Sequence, residues 1–420
     1  MQFIINGGKP LSGTITVAGF KNAATPIIAA TVLTDRVCVL KNVPRITDVM
    51  KLLGILRDMG SKQEWLDEHT LRIDNKNLVP QPLESDAVAQ IRSSILLIGP
   101  FLARFGNVSF VTPGGCKIGS RPIDTHIEAF ADLGVQVTYD DASGRYHMEA
   151  SSKTGGEAIL KEFSVTATEN VLMLGTKYPV AIRLAAIEPH VFDLIGFLKQ
   201  LGATIDADGM HGFTTKPSPA APSEEIEYTL MSDPIEAGTF AVLAAATRSV
   251  LKIDGVDATV LEAPLRKLRE FGVHFTLSGR VLEVDGAHSV LTATRVQTMP
   301  YPGLPTDLQA PFGVLATQAK GSSLIFDTMY EGRLKYIDQL KKMGADAVLL
   351  DPHRAIISGP SVLHGAEIES LDLRAGATLI IAALLAEGKT TLGNIEQIDR
   401  GYERLDERLQ ALGADIARVQ

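Results

Sequence analysis

The sequence predicts an α/β protein of inverse, inside-out type: two domains, each of three repeats, with buried helices surrounded by sheets. Three observations carry this. A helix ending in a bulky residue plus glycine recurs six times along the chain. Each repeat also holds an earlier helix that is apolar nearly all round, the mark of full burial. The strands, as in Val273-His274-Phe275-Thr276-Leu277, alternate apolar with polar, which is the pattern of sheet with one face in water.

The helix endings are Met59-Gly60, Leu133-Gly134, Leu201-Gly202, Phe271-Gly272, Met343-Gly344 and Leu412-Gly413, spaced 68 to 74 residues apart. A glycine there supplies a left-handed C-terminal cap, and a fixed period of this kind marks internal repetition. The apolar helices are predicted at Ala24 to Leu33, Ser94 to Ala103, Ala237 to Ala246, Leu308 to Ala316 and Ala375 to Ala386. The last of these is the most apolar stretch, about half the length needed to span a bilayer.

Most repeats close with a hairpin, such as His274 to Val284, but the sixth stops after Ala414-Asp415-Ile416-Ala417-Arg418-Val419 without a return strand. Phe3-Ile4-Ile5-Asn6 is the expected partner. The predicted domains are therefore 21–230 and a discontinuous 1–20 plus 231–420. The second crossing follows the Pro-rich stretch Lys216 to Pro222. A cleft between two such halves is the default ligand site.

The chain has 420 residues, 45% hydrophobic, with a formal net charge of −9, which argues against general nucleic-acid binding. No basic leader precedes an apolar run at the N-terminus, so neither a signal peptide nor a membrane partner is expected. Two cysteines make neither a disulfide framework nor a zinc site, and a reducing cytoplasm fits best. Cys38, in Val37-Cys38-Val39-Leu40, reads as a core strand residue.

Cys116 is different. It lies in Pro113-Gly114-Gly115-Cys116-Lys117-Ile118-Gly119-Ser120-Arg121-Pro122, where glycines permit close approach to a ligand and two cations flank the thiol. That setting makes a cysteine reactive or useful as a proton donor. Charged residues also recur where buried helices begin: Lys21, Arg92, Asp233, Asp307 and Arg374. Arg121, Arg333 and Arg400 precede outer helices. Six cations around one cleft would suit a ligand with several phosphate or carboxylate groups, although ordinary pairing, such as Asp372 with Arg374, is the plainer reading. Asp307 is either a helix N-cap or a general base. His126 reads as structural. Glu387-Gly388-Lys389-Thr390-Thr391 looks like the end of a phosphate-binding loop, but it follows a helix and precedes a strand, the reverse of the required order.

Four segments carry a resemblance: Gly19-Phe20-Lys21-Asn22-Ala23-Ala24, the Cys116 loop through Asp124, Tyr301-Pro302-Gly303-Leu304-Pro305-Thr306-Asp307, and Asp399-Arg400-Gly401-Tyr402-Glu403-Arg404. From Gly7-Gly8 to the C-terminus the chain resembles the UDP-N-acetylglucosamine 1-carboxyvinyltransferases, the enolpyruvyl transferases that start bacterial peptidoglycan synthesis. Their fold is the inverse two-domain architecture above. The resemblance implies transfer of an enolpyruvyl group from phosphoenolpyruvate to the 3′-hydroxyl of UDP-N-acetylglucosamine, with release of phosphate and no cofactor or metal. Phe20 and Gly332 depart from the family pattern, which has a small residue and often an asparagine there.

By the same resemblance Cys116 is the acid and adds covalently to phosphoenolpyruvate or to epoxide mimics of it, and Asp307 deprotonates the sugar hydroxyl. Lys21, Arg121 and Arg400 would hold phosphate, with Arg333 and Arg374 near the carboxylate. Asn22, Arg92, Asp124, Thr125 and Met329 look like nucleotide-sugar contacts, as does the segment with Lys161, Ser164 and Val165. The Arg121–Pro122 stretch would meet the uracil, with Ile123 a further nucleotide-sugar contact. Two rival readings remain: 3-phosphoshikimate 1-carboxyvinyltransferase, which shares fold and donor, and a non-catalytic paralogue that senses a UDP-sugar.

Overall fold

A computed structural model describes residues 1–112, 122–217 and 225–419. They form two compact units: one takes Met1–Ala18 together with the chain from Ser232 onward, and the other runs from Gly19 to Met231. Cys116 and Arg121 lie outside the described residues.

The architecture is mixed α/β, with helices inside. Ala23 to Ala30 of the helix Lys21–Ala30 are all buried, as are Ile235 to Ala246 of Pro234–Ala246 and the whole of Gln309–Ala316. Small residues let these helices approach closely. A Cβ at Gly99 would sit 2.3 Å from the Asn170 carbonyl oxygen. The Asn170 side chain uses that proximity, accepting from the Gly99 N–H at 2.8 Å and donating to the Ile95 carbonyl at 3.0 Å. This helix, Val165–Leu174, was not among those read from sequence. Its polar Thr168, Glu169 and Asn170 mask an element buried from Ala167 to Leu174.

The outer helices are amphipathic. Glu262–Glu270, for example, buries Pro264, Leu265 and Leu268 and turns its charged residues outward. All six helix-ending glycines, Gly60, Gly134, Gly202, Gly272, Gly344 and Gly413, have φ between +76° and +108°. A side chain would strain the backbone there, which is why the period is marked by glycine.

In three repeats the buried helix crosses over between two paired parallel strands. Gly156–Ile159 pairs with Val180–Arg183 around Val165–Leu174, and Glu367–Glu369 pairs with Lys389–Gly393 around Leu373–Leu385. Two repeats exchange their leading strands. Ser12–Thr16 precedes the helix Lys21–Ala30 yet pairs with Val250–Asp254, whereas Glu225–Thr229 precedes Pro234–Ala246 yet pairs with Val37–Lys41. Those exchanges are the places where the chain passes from one unit to the other. The N-terminal strand Gln2–Asn6 supplies the sixth repeat's missing partner, running antiparallel to Asp415–Val419 with Phe3 opposite Arg418. Among the described residues no helix is long and apolar enough to cross a membrane.

Candidate active site

Within the unit containing residues 232–419, the first turns of three buried helices carry Asp233, Asp307 and Arg374. Asp233 caps Pro234–Ala246, its Oδ1 accepting from the Ile235 and Glu236 N–H groups at 2.8 and 3.1 Å. Asp372 caps Leu373–Leu385 in the same way, through the N–H groups of Arg374 and Ala375. Asp307 caps nothing. The 3₁₀ turn Thr306–Leu308 has Pro305 at its N-cap, which leaves the Asp307 carboxylate for other partners.

Those partners are two arginines. Arg333 Nη2 lies 2.7 Å from Asp307 Oδ1, and Arg374 Nε lies 3.0 Å from Oδ2. The expected pairing of Arg374 with Asp372 is replaced by this one, because Asp372 spends its carboxylate on the helix N-terminus. Arg374 also stands 3.8 Å from Asp233 and over the Tyr402 ring, 5.4 Å from its centre. The Arg374 side chain is 3% exposed and that of Arg333 11% exposed. Burial raises the Asp307 carboxyl, but the guanidiniums of Arg333 and Arg374 outweigh it and hold the group well below the usual carboxylate range. For Asp233 burial wins, pushing the carboxyl up to about 7 against the pull of Arg374.

Arg333 Nε and Arg374 Nη1 are buried and have no acceptor among the described residues. Two buried guanidiniums with spare donors are a poor arrangement for stability alone and a suitable one for an anion. Arg400 ends the 3₁₀ turn Ile395–Arg400, where Nη1 donates to Gln397 at 3.2 Å. That turn packs on the first turns of the Arg374 helix, as a Cβ on Gly376 would meet Ile398 at 2.5 Å. Met329 is partly exposed, and its N–H bonds to Asp327.

The other unit gathers the remaining candidates in two places. Lys21 and Asn22 open the helix Lys21–Ala30, with Lys21 Nζ 2.6 Å from Asp48 Oδ2. Phe20 packs edge-on against His190, ring centres 5.2 Å apart, which gives the large residue before Lys21 a packing role. The second place joins Arg92, Pro122 and the starts of two helices. Arg92 Nη2 donates to the Pro122 carbonyl at 3.0 Å. Ile123 is buried, and Asp124 and Thr125 begin the helix Asp124–Asp132. The Thr125 hydroxyl donates to Glu162 at 3.3 Å, and Lys161 pairs with Glu128 on the same helix. Ser164 caps Val165–Leu174 through the Ala167 N–H at 3.4 Å. His126 is buried against Thr166, and burial pushes its imidazole down to about 3, which favours the neutral ring at ordinary pH.

Sequence reasoning missed Asp48, Tyr402 and the role of Asp233 beside Arg374. Asp233 had a signal in its place at a helix start and Tyr402 in the segment Asp399 to Arg404, whereas Asp48 had none. Cys38 is fully buried in Val37–Lys41, and burial pushes its thiol up to about 12.

The chain matches the family model for EPSP synthase (3-phosphoshikimate 1-carboxyvinyltransferase) over residues 5–409. It is 42% identical over 443 residues to the UDP-N-acetylglucosamine 1-carboxyvinyltransferase of Bradyrhizobium diazoefficiens, covering 100% of this chain and 98% of that protein. The Magnetococcus marinus protein of the same name is 38% identical, covering 100% and 99%. Among solved structures, the enolpyruvyl transferase NikO from Streptomyces tendae superposes with a TM-score of 0.89 at 24% identity, covering 100% of this chain and 98% of that one. EPSP synthase from Acinetobacter baumannii gives 0.77 at 19% identity, covering 100% of both chains. These two likenesses establish the fold. The relatives spanning the whole length establish more: the chain belongs to the EPSP synthase family, and within it to the UDP-N-acetylglucosamine 1-carboxyvinyltransferases.

Proposed function

We propose that this protein transfers the enolpyruvyl group of phosphoenolpyruvate to the 3′-hydroxyl of UDP-N-acetylglucosamine and releases phosphate. The observation that carries the reading is the full-length identity to relatives bearing that name. The ion-paired Asp307 agrees with it, since hydroxyl addition needs a carboxylate that is already ionised.

Cys116 protonates the C3 methylene, and C2 acquires oxocarbenium character. The sugar 3′-hydroxyl adds to C2 as Asp307 takes its proton. The resulting phosphate ketal collapses by losing a C3 proton and phosphate, which restores the double bond. Lys21, Arg121 and Arg400 hold the phosphate. Arg333 and Arg374 meet the carboxylate with their spare Nε and Nη1 donors. As that carboxylate shares the two guanidiniums, Asp307 is relieved of part of their charge and becomes a better base. Asn22, Arg92, Ile123, Asp124, Thr125, Lys161, Ser164, Val165 and Met329 bind the nucleotide sugar, with the Arg121–Pro122 stretch at the uracil. No metal or redox cofactor enters the reaction. The product class serves peptidoglycan synthesis in the cytoplasm, and through it cell shape and division.

The family model's own description favours one rival acceptor, shikimate 3-phosphate. A phosphate-release assay with phosphoenolpyruvate and each acceptor in turn separates the two. Release driven by UDP-N-acetylglucosamine supports the reading. Release driven by shikimate 3-phosphate overturns it, and sugar binding without turnover points to a sensor. A phosphoenolpyruvate-like epoxide is expected to alkylate Cys116 and to spare Cys38, whose thiol is buried and protonated. Peptide mass spectrometry that located the adduct on Cys38 would contradict this.

A further inference from the structure

Asp327 follows the strand Gly321–Phe326 and is completely buried, yet no basic side chain pairs with it among the described residues. Its carboxylate is filled instead by neutral donors from two chain segments. Oδ2 accepts from the Thr306 hydroxyl at 2.6 Å and from Gln309 Nε2 at 3.4 Å. Oδ1 accepts the N–H groups of Met329 and Tyr330 at 2.9 and 3.0 Å. Its own backbone is fixed by His353: the Asp327 N–H donates to the His353 carbonyl at 2.9 Å, and the Asp327 carbonyl accepts from His353 Nδ1 at 2.8 Å. Gln309 passes the chain on, accepting from the Tyr336 hydroxyl at 2.8 Å. Tyr336 is buried so tightly that a Cβ on Gly313 would lie 2.1 Å from its oxygen.

The donors have a pattern. Thr306 and Gln309 bracket Asp307, whereas Met329, Tyr330 and Tyr336 bracket Arg333. The Asp307–Arg333 ion pair at 2.7 Å therefore joins the same two stretches of chain that the Asp327 network joins. A buried carboxylate with four donors is held more firmly than a surface loop could hold it, and its cost is borne only while every donor is present.

We propose that Asp327 is the positioning residue of the reaction, setting Asp307 against Arg333 so that the Asp307 carboxylate faces the sugar hydroxyl. This rests on the functional reading above. Asp327 touches no reacting atom. Its effect passes through Thr306 to Asp307 and through the 329–330 turn to Arg333. A shift of about 1 Å in such a group costs about a hundredfold in rate. The charged and titratable groups around Asp307 are Arg333 and Arg374, and around those two Asp233, Asp327, Asp372, Tyr330 and Tyr402. The charge of Asp327 thus also acts on Arg333, and the Thr306 variants, which leave that charge in place, separate it from the positioning effect.

The test compares Asp327→Asn, Thr306→Val and Thr306→Ser with wild type and with Ile357→Val, a core control in the strand Arg354–Gly359. Phosphate release is followed against pH, and the Asp307 carboxyl is titrated by carbon-13 NMR. Asp327→Asn and Thr306→Val are expected to lower kcat by about 10- to 100-fold. Both should also move the acid limb of kcat and the Asp307 titration to higher pH, because a displaced Arg333 no longer holds the carboxyl down. Thr306→Ser keeps the hydroxyl and is expected to restore both. If kcat falls no further than in Ile357→Val and the acid limb stays put, the role is structural and the proposal is overturned. Should Asp327→Asn fail to fold, the Thr306 pair decides alone. Should wild type release no phosphate, the functional reading fails separately, and an Asp307 titration unmoved by the variants still overturns the positioning role.

Discussion

Asp307→Asn lowers kcat by about a thousandfold, the range lost when a positioned general base is removed. The amide has the shape of the carboxylate but cannot take the sugar proton. It also presents one NH₂ to a guanidinium, either Arg333 or Arg374, since these occupy the two oxygens separately. Two buried cations then share too little negative charge, and stability falls by about 3–5 kcal/mol. Steady-state kinetics with saturating UDP-N-acetylglucosamine, paired with denaturant unfolding, separates the two effects. A kcat within about tenfold of wild type would remove Asp307 from proton transfer.

Arg374→Met has its largest effect on stability, and that effect depends on pH. Arg374 is flanked by the partly buried Asp307 at 3.0 Å and the buried Asp233 at 3.8 Å. Methionine fills the space and leaves both carboxylates without their shared cation, a loss of about 3–5 kcal/mol near neutrality. In wild type the depressed Asp307 carboxyl contributes stability that is present above the unfolded carboxyl value and lost as pH falls through its lower folded value. In the variant Asp307 keeps Arg333, whereas Asp233, already pushed up to about 7, loses the charge that held it down and rises further, so the folded chain binds a proton there that the unfolded chain has already released. The variant is therefore expected to recover part of its loss as pH falls from about 8 to about 5. Unfolding curves at the two pH values check this. An equal gap at both would mean that the arginine acts by packing alone.

Much of this was legible in the chain. The six glycines declared the period because only glycine tolerates their positive φ, and Gln2–Asn6 was recognisable as the partner missing from the last repeat. What failed to show followed from long-range pairing. Asp372 stands two residues from Arg374 and looked like its partner, but the helix N-terminus claims it and the true partners come from residues 307 and 233. Asp48 holds Lys21 from another helix, with nothing in its local sequence to say so. The helix Val165–Leu174 was obscured by Glu169 and Asn170. Polar residues in a buried helix can be satisfied by a neighbouring helix, as Asn170 is by Gly99 and Ile95, and periodicity then misreads them as exposed. Asp327 carried no signal at all, since its donors are largely backbone groups and uncharged side chains.

The central claim is that the group transferred is an enolpyruvyl unit, added at the sugar hydroxyl through a protonated C3. Running the reaction of phosphoenolpyruvate with UDP-N-acetylglucosamine in deuterated water tests it most directly, with the product read by proton NMR and mass spectrometry. The account predicts an enolpyruvyl ether on the 3′-oxygen, deuterium in its vinyl methylene and one phosphate released per ether formed. An ether without deuterium, or phosphate released without an ether, would contradict it.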